Sequence, residues 1–249
     1  MKQEEKKTIH AAIGGALLFI LIQIFHSSLS QGNDSDMISA FYLIAGCCNV
    51  AIAFSIFAQG WLFFSNRLSK GRLYTSALFL GISIFDFMHT LGFVGVPFIS
   101  TYINSGESLW ILTLSRLASS IGILVIFSRQ DKPVSIFDKS RVFRIASVVV
   151  ISSLAIVAIG HSYLPQVLNQ AGLESLKQIL DMGVLFIYLV AVAVIVYTGK
   201  GEKSASLLII IRSLIFFVLA QAFLIKPASI NDVNYLIGMI CSGIAYYLM

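Results

Sequence analysis

Apolar residues along this chain come in long unbroken runs separated by short polar breaks. The period-two alternation of a barrel strand is missing. Eight runs stand out, and their ends are soft by a few residues. They cover about His10–Leu29, closed by SQGNDSD, about Ile38–Phe64, closed by SNRLSKGR, and about Leu73–Val96, closed by Pro97. The others are about Leu109–Phe127, Phe143–Ile159, Leu176–Tyr197, Ser204–Ile225 and Val233–Met249. A helix crossing the hydrocarbon layer needs roughly 20 apolar residues, because helices satisfy their own backbone hydrogen bonds where water is absent. The pattern predicts an all-α polytopic membrane bundle of about eight transmembrane helices. Residues 1–9 form an N-terminal tail in this reading, and 10–249 form one membrane-embedded domain.

The positive charges orient the bundle. Lys2, Lys6 and Lys7 precede the first run, and Arg67, Lys70 and Arg72 follow the second. Arg129, Lys132, Lys139, Arg141 and Arg144 follow the fourth, and Lys200 and Lys203 follow the sixth. These thirteen fall on one side, whereas the opposite loops hold only Lys177 and Lys226. Cytoplasmic loops carry the excess of Lys and Arg, so both termini are expected in the cytoplasm of a multi-pass cell-membrane protein. The first run is too long for a signal-peptide core, and no cleavage site of the A-x-A kind follows it. The sequence stops at Met249, where the last helix should leave the membrane. That is a natural junction between a membrane input module and a cytosolic domain.

Composition agrees with the bilayer as solvent. The chain is 57% hydrophobic and 12% charged, about half the charge of a soluble domain. The net charge of +5 is an orientation signal rather than a footprint for nucleic acid. Cys47, Cys48 and Cys241 lie inside apolar runs, with neither zinc-site spacing nor a disulfide framework. No phosphate-binding glycine loop, G-x-S-x-G elbow or H-E-x-x-H occurs. No catalytic constellation, cofactor or metal is therefore expected. No repeat between the halves is evident in the sequence, and neither is a matched pair of Gly/Pro-broken helices.

Ionisable residues inside spans are expensive, at roughly 2.5–3.5 kcal/mol each on insertion scales, and are functional candidates by default. Asp86 and His89 lie three apart in the third run, with Thr90 one position further, so all three share a helix face. Arg116 in the fourth run is the expected counter-charge for Asp86. The cluster either senses a ligand or proton, or holds helices together through hydrogen bonds. Glu174 and Lys177 read as an interfacial helix end, and Asp181, about one turn into the sixth run, as snorkelling or capping. Arg212 is placed to snorkel inward. The four histidines lack H-x-x-H or H-x-x-x-H spacing, which argues against haem. Trp61 and Trp110 sit near span ends, as interfacial anchors do.

The stretch FDFMHTLGFVGVPF resembles the signature of the bacterial membrane-associated sensor domain of the third class, in which a span carries D-x-x-H-T-L, an aromatic, and then K-G-M. Asp86, His89, Thr90, Leu91, Phe93 and Gly95 fit this pattern, while Val94 and Val96 stand where it has lysine and methionine. SLWILTLSR resembles the family's next helix through Leu109, Trp110 and Arg116, with Trp110 and Arg116 six apart rather than four. Pro165, Gly172, Leu173 and Lys177 resemble its outer loop. The resemblance implies a sensory input module of a histidine kinase or diguanylate cyclase type protein. Its sensing cluster would be Asp86, His89, Thr90 and Arg116, with Gly92, Gly95 and Trp110 as packing and interface positions. The partners it implies are the lipid bilayer, a small-molecule ligand, a cytosolic output domain or protein, and a second copy in a homodimer. The alternative is a small transporter or channel that uses Asp86 as its coupling carboxylate.

Overall fold

The computed structural model describes residues 2–31, 35–62, 69–94, 105–128, 136–160, 174–198, 205–225 and 232–249. The described residues form eight α-helices. They are α1 (Lys2–Gln31), α2 (Ser35–Leu62), α3 (Lys70–Val94) and α4 (Ser105–Phe127). The other four are α5 (Ile136–Ile159), α6 (Glu174–Thr198), α7 (Ala205–Leu224) and α8 (Val233–Leu248). None of the four prolines falls inside a described helix, as expected of a residue that lacks the N–H and clashes with the preceding turn.

Seven helices, α1 to α7, are long and apolar enough to cross a membrane. The eighth is apolar but has 16 residues, which is about 24 Å of helix against a hydrocarbon layer of about 30 Å. The eight predicted runs thus correspond to eight helices, one of them short for a full span. The largest boundary difference is at the start. Residues 2–9, read as a tail, are helical and continuous with the first span. The cause lies in side chains that the hydropathy pattern does not weigh. Glu4 bonds Lys7 within the helix and Arg212 Nη2 of α7, both at 2.6 Å.

The chain divides into two compact units, residues 46–180 and residues 1–45 with 181–249. Within the first, α3 is central. Register is read from pairs whose numbers run oppositely on two helices. Gly60 faces Ser76 and Gly46 faces Thr90, so α2 and α3 are antiparallel. Gly122 faces Leu78, and Ser115 bonds Asp86, so α4 is also antiparallel to α3. Gly81 meets Val150, and Lys70 approaches Asp138 at 3.5 Å, so α5 runs parallel to α3. At one end of this unit Trp61, Phe57 and Phe143 stack, with Lys139 Nζ 4.1 Å above the Trp61 ring.

The second unit repeats this plan around α7. Asp181 meets Gln221 and Tyr188 stacks on Phe217, so α6 is antiparallel to α7. Ser213 Oγ donates to Ala245 O at 2.7 Å and Gly238 faces Ala220, so α8 is antiparallel too. Glu4 with Arg212, Gly15 with Leu219, and Phe19 with Phe223 place α1 parallel to α7. Each unit is therefore a central helix with two antiparallel neighbours and one parallel neighbour. The fourth helix comes after the hairpins in one unit and from the start of the chain in the other. The duplication was not evident in the sequence because it lies in helix pairing, while the side chains of the two units differ.

Burial sorts the helices. About half of each spanning segment is buried in α3, α4 and α7 (56%, 50% and 50%), against 11% in α1 and α5. The outer faces carry large apolar side chains such as Ile13, Leu17 and Ile24 on α1, and Ile145, Val148 and Ile156 on α5. Faces of this extent cannot be left to water, and the hydrocarbon of a bilayer covers them at no cost.

Candidate functional site

Inside residues 46–180, the α3–α4 seam carries a dense set of buried polar groups. Asp86, His89 and Thr90 of α3 are buried, as are Glu107, Ser108, Ser115 and Arg116 of α4 and Lys177 at the start of α6. In hydrocarbon, each such group needs a partner inside the protein.

The hydrogen bonds show how these demands are met. Ser115 Oγ donates to Asp86 Oδ1 at 2.7 Å, tying the carboxylate to α4. His89 Nδ1 lies 2.8 Å from Ser108 O and 2.9 Å from Ser108 Oγ. A carbonyl oxygen can only accept, so Nδ1 carries the proton. In the neutral ring the lone pair is then on Nε2. Ser108 Oγ in turn donates to His89 O at 3.0 Å, so the serine and histidine clasp each other's backbones. Thr90 Oγ1 donates to the backbone carbonyl of Asp86 at 2.7 Å, one turn back in its own helix. Its methyl and hydroxyl lie where a Cβ on Gly46 would stand, 2.5 Å from both, so Thr90 sets how closely α2 approaches α3.

Arg116, next to Ser115, is 2% exposed, and both it and Lys177 act electrostatically on the His89 ring. The four residues expected to cluster, Asp86, His89, Thr90 and Arg116, therefore all point to the interior of one unit. Sequence reasoning missed Ser108 and Ser115, which make the α3–α4 connections. The only signal for them was position, since the antiparallel register sets 108 opposite 89 and 115 opposite 86. Of the packing positions, Gly92 is buried, Trp110 is half-buried near the start of α4, and Gly95 lies outside the described residues.

One sequence expectation needs correction. Asp181, read as snorkelling or capping, is 3% exposed, as is Lys177 in the first turn of α6. Asp181 neither snorkels nor caps: Gln221 Nε2 of α7 donates to its backbone O at 3.2 Å and to its Oδ1 at 3.1 Å. A partner forty residues further along the chain is invisible to a reading of one helix. Among the described residues, no three His, Cys, Asp or Glu side chains come together as a metal site.

An all-helical bundle with lipid-type outer faces and a hydroxyl-linked, charged interior defines a multi-pass protein of the cell membrane with a polar intramembrane site. More particularly, the chain belongs to the MASE3 family, a membrane-associated sensor domain, whose pattern matches residues 34–249. The match begins at the edge of α2 and takes in every helix except α1. Neither curated proteins nor solved structures yield a match.

Proposed function

We propose that this chain is the sensory input module of a signal-transduction protein of the histidine kinase or diguanylate cyclase type. Its membership in the sensor-domain family supports this reading. The observation that carries it to particular residues is the buried cluster bridging α3 and α4. Asp86 is held by Ser115 at 2.7 Å and His89 by Ser108 at 2.8 Å, with Arg116 and Lys177 buried in the same unit.

A cluster of this kind responds to two classes of input. A small polar ligand competes for the serine and imidazole contacts, or a proton changes the charge of a group that the seam depends on. Either input alters the fit of α3 against α4. In this reading the termini are cytoplasmic, the chain itself has no catalytic activity, and the last helix passes the change to a cytosolic output.

The test is to join a diguanylate cyclase reporter after Met249 and measure its product in cells across pH and a panel of small ligands. Asp86→Asn, His89→Ala and Ser115→Ala are expected to move the set-point or abolish the response at normal protein levels. If every variant signals like the parent, the cluster only packs helices. Steady solute or proton flux through the purified protein in proteoliposomes, lost in Asp86→Asn, would instead favour a transporter.

A further inference from the structure

The outer face of α5 changes chemistry along its length. From Ile145 onward it is apolar and open, with Ile145, Val148, Ile151, Ile156 and Ile159 each more than half exposed. Just ahead of this stripe stand two exposed cations, Arg141 and Arg144. Positions 141, 144, 145 and 148 recur at helical spacing, so the two arginines and the start of the stripe share one face. Arg144 turns back along the helix, its Nε donating to Ser140 O at 3.4 Å. That direction leads away from the apolar stripe and gathers the charge at the level of Arg141.

The neighbouring charges are already matched. Lys70 of α3 approaches Asp138, the acid in the first turn of α5, at 3.5 Å. Lys139 Nζ donates to Trp61 O at 3.1 Å and lies over the Trp61 ring. Among the described residues no acid pairs with Arg141 or Arg144. Depth says what surrounds them. α5 ends at Ile159, fifteen residues after Arg144, about 22 Å of rise against a hydrocarbon layer of about 30 Å. The backward-turned guanidinium of Arg144 therefore reaches the headgroup layer at the start of the helix, as snorkelling cations do. Because α3 and α5 run parallel, the positive ends of both helix dipoles face the same layer.

We propose that this face of α5 is a binding surface for an anionic phospholipid, with its phosphate on Arg141 and Arg144 and its acyl chain along Ile145, Val148 and Ile151. A guanidinium offers a phosphodiester two parallel N–H bonds, so each arginine is matched to that group. The continuity of cations and apolar stripe on one face selects a membrane lipid over a soluble anion. A zwitterionic headgroup would bring a further cation to this level, whereas a net-negative one brings none.

Trp61 supplies a local readout, because its ring lies 5.0 Å from that of Phe143, the residue before Arg144. The full chain carrying Trp110→Phe, in which Trp61 is the remaining tryptophan, is placed in phosphatidylcholine nanodiscs. A minority of dibrominated phosphatidylglycerol or dibrominated phosphatidylcholine is added, and quenching of Trp61 reads which lipid occupies its surroundings. Phosphatidylglycerol is expected to show an apparent affinity about fivefold higher or more, the attraction that a single basic residue adds near a membrane surface. The preference should disappear in Arg141→Gln/Arg144→Gln and persist in Lys6→Gln/Lys7→Gln, which removes the same charge from α1. Equal quenching by the two lipids in the parent overturns the proposal without any variant. Survival of the preference without both arginines, or its equal loss in the α1 variant, overturns it in favour of general surface charge. Loss of the preference on adding inorganic phosphate at constant ionic strength overturns it in favour of a soluble anion.

Discussion

Removing the Ser115 hydroxyl tests how the α3–α4 seam is held. Ser115→Ala deletes one short donor, 2.7 Å from the buried Asp86 Oδ1, and leaves the carboxylate in place. In a water-soluble protein, a hydrogen bond to a charged group contributes about 1.5–3 kcal/mol. Within a membrane the effect is smaller, because the unfolded chain in lipid also finds partners for its polar groups. Measured interhelical hydrogen bonds there average about 0.6 kcal/mol and reach about 1.7. The bond is short and fully buried, so the upper part of that range is expected, about 1–1.7 kcal/mol. A double-mutant cycle with Asp86→Leu, which removes the acceptor at similar volume, isolates the pair. Reversible unfolding of the four proteins in mixed micelles supplies the free energies. A coupling below about 0.3 kcal/mol, near the error of such cycles, would refute the claim that this bond holds the seam.

Gly46 predicts a helix-packing effect. A Cβ there would stand 2.5 Å from Thr90, so Gly46→Ala should force α2 and α3 apart and destabilise by about 1–3 kcal/mol in the same unfolding assay. Gly14→Ala, with nothing within 4 Å, should be neutral or gain up to about 1 kcal/mol of helix propensity. The Glu4–Arg212 pair is partly exposed, so Arg212→Met should cost little, and less at high salt; a large, salt-independent loss would contradict this. Lys139→Met should change the emission of Trp61, read in a Trp110→Phe background, because the ammonium sits 4.1 Å above that ring. An unchanged spectrum would place Lys139 elsewhere.

Much of the architecture was legible in the sequence because a bilayer imposes a one-dimensional rule. Every span must be a continuous apolar helix, so the number and type of elements follow from the length of apolar runs. The exceptional residues were legible for the same reason. Asp86, His89 and Arg116 stand out against hydrocarbon, and helical spacing alone puts Asp86, His89 and Thr90 on one face.

What the tertiary structure decided is who meets whom. Ser108 and Ser115 are unremarked in sequence because serine inside a membrane helix is common, Gln221 is one of several polar groups within the spans, and only register makes the three partners of His89, Asp86 and Asp181. Asp181 was misplaced because its position near a helix start suggested the interface, while the donor that buries it comes from α7. Residues 2–9 hold no apolar run, so hydropathy is silent on their helix, in which Glu4 bonds Lys7 and also Arg212, 208 positions away. The duplicated plan around α3 and α7 was hidden too, since helix pairing leaves no trace in hydropathy. Sequence determines the solvent and the elements through local physics. Pairing, and with it the chemistry of the buried polar groups, is a long-range property that exists only once the helices are packed.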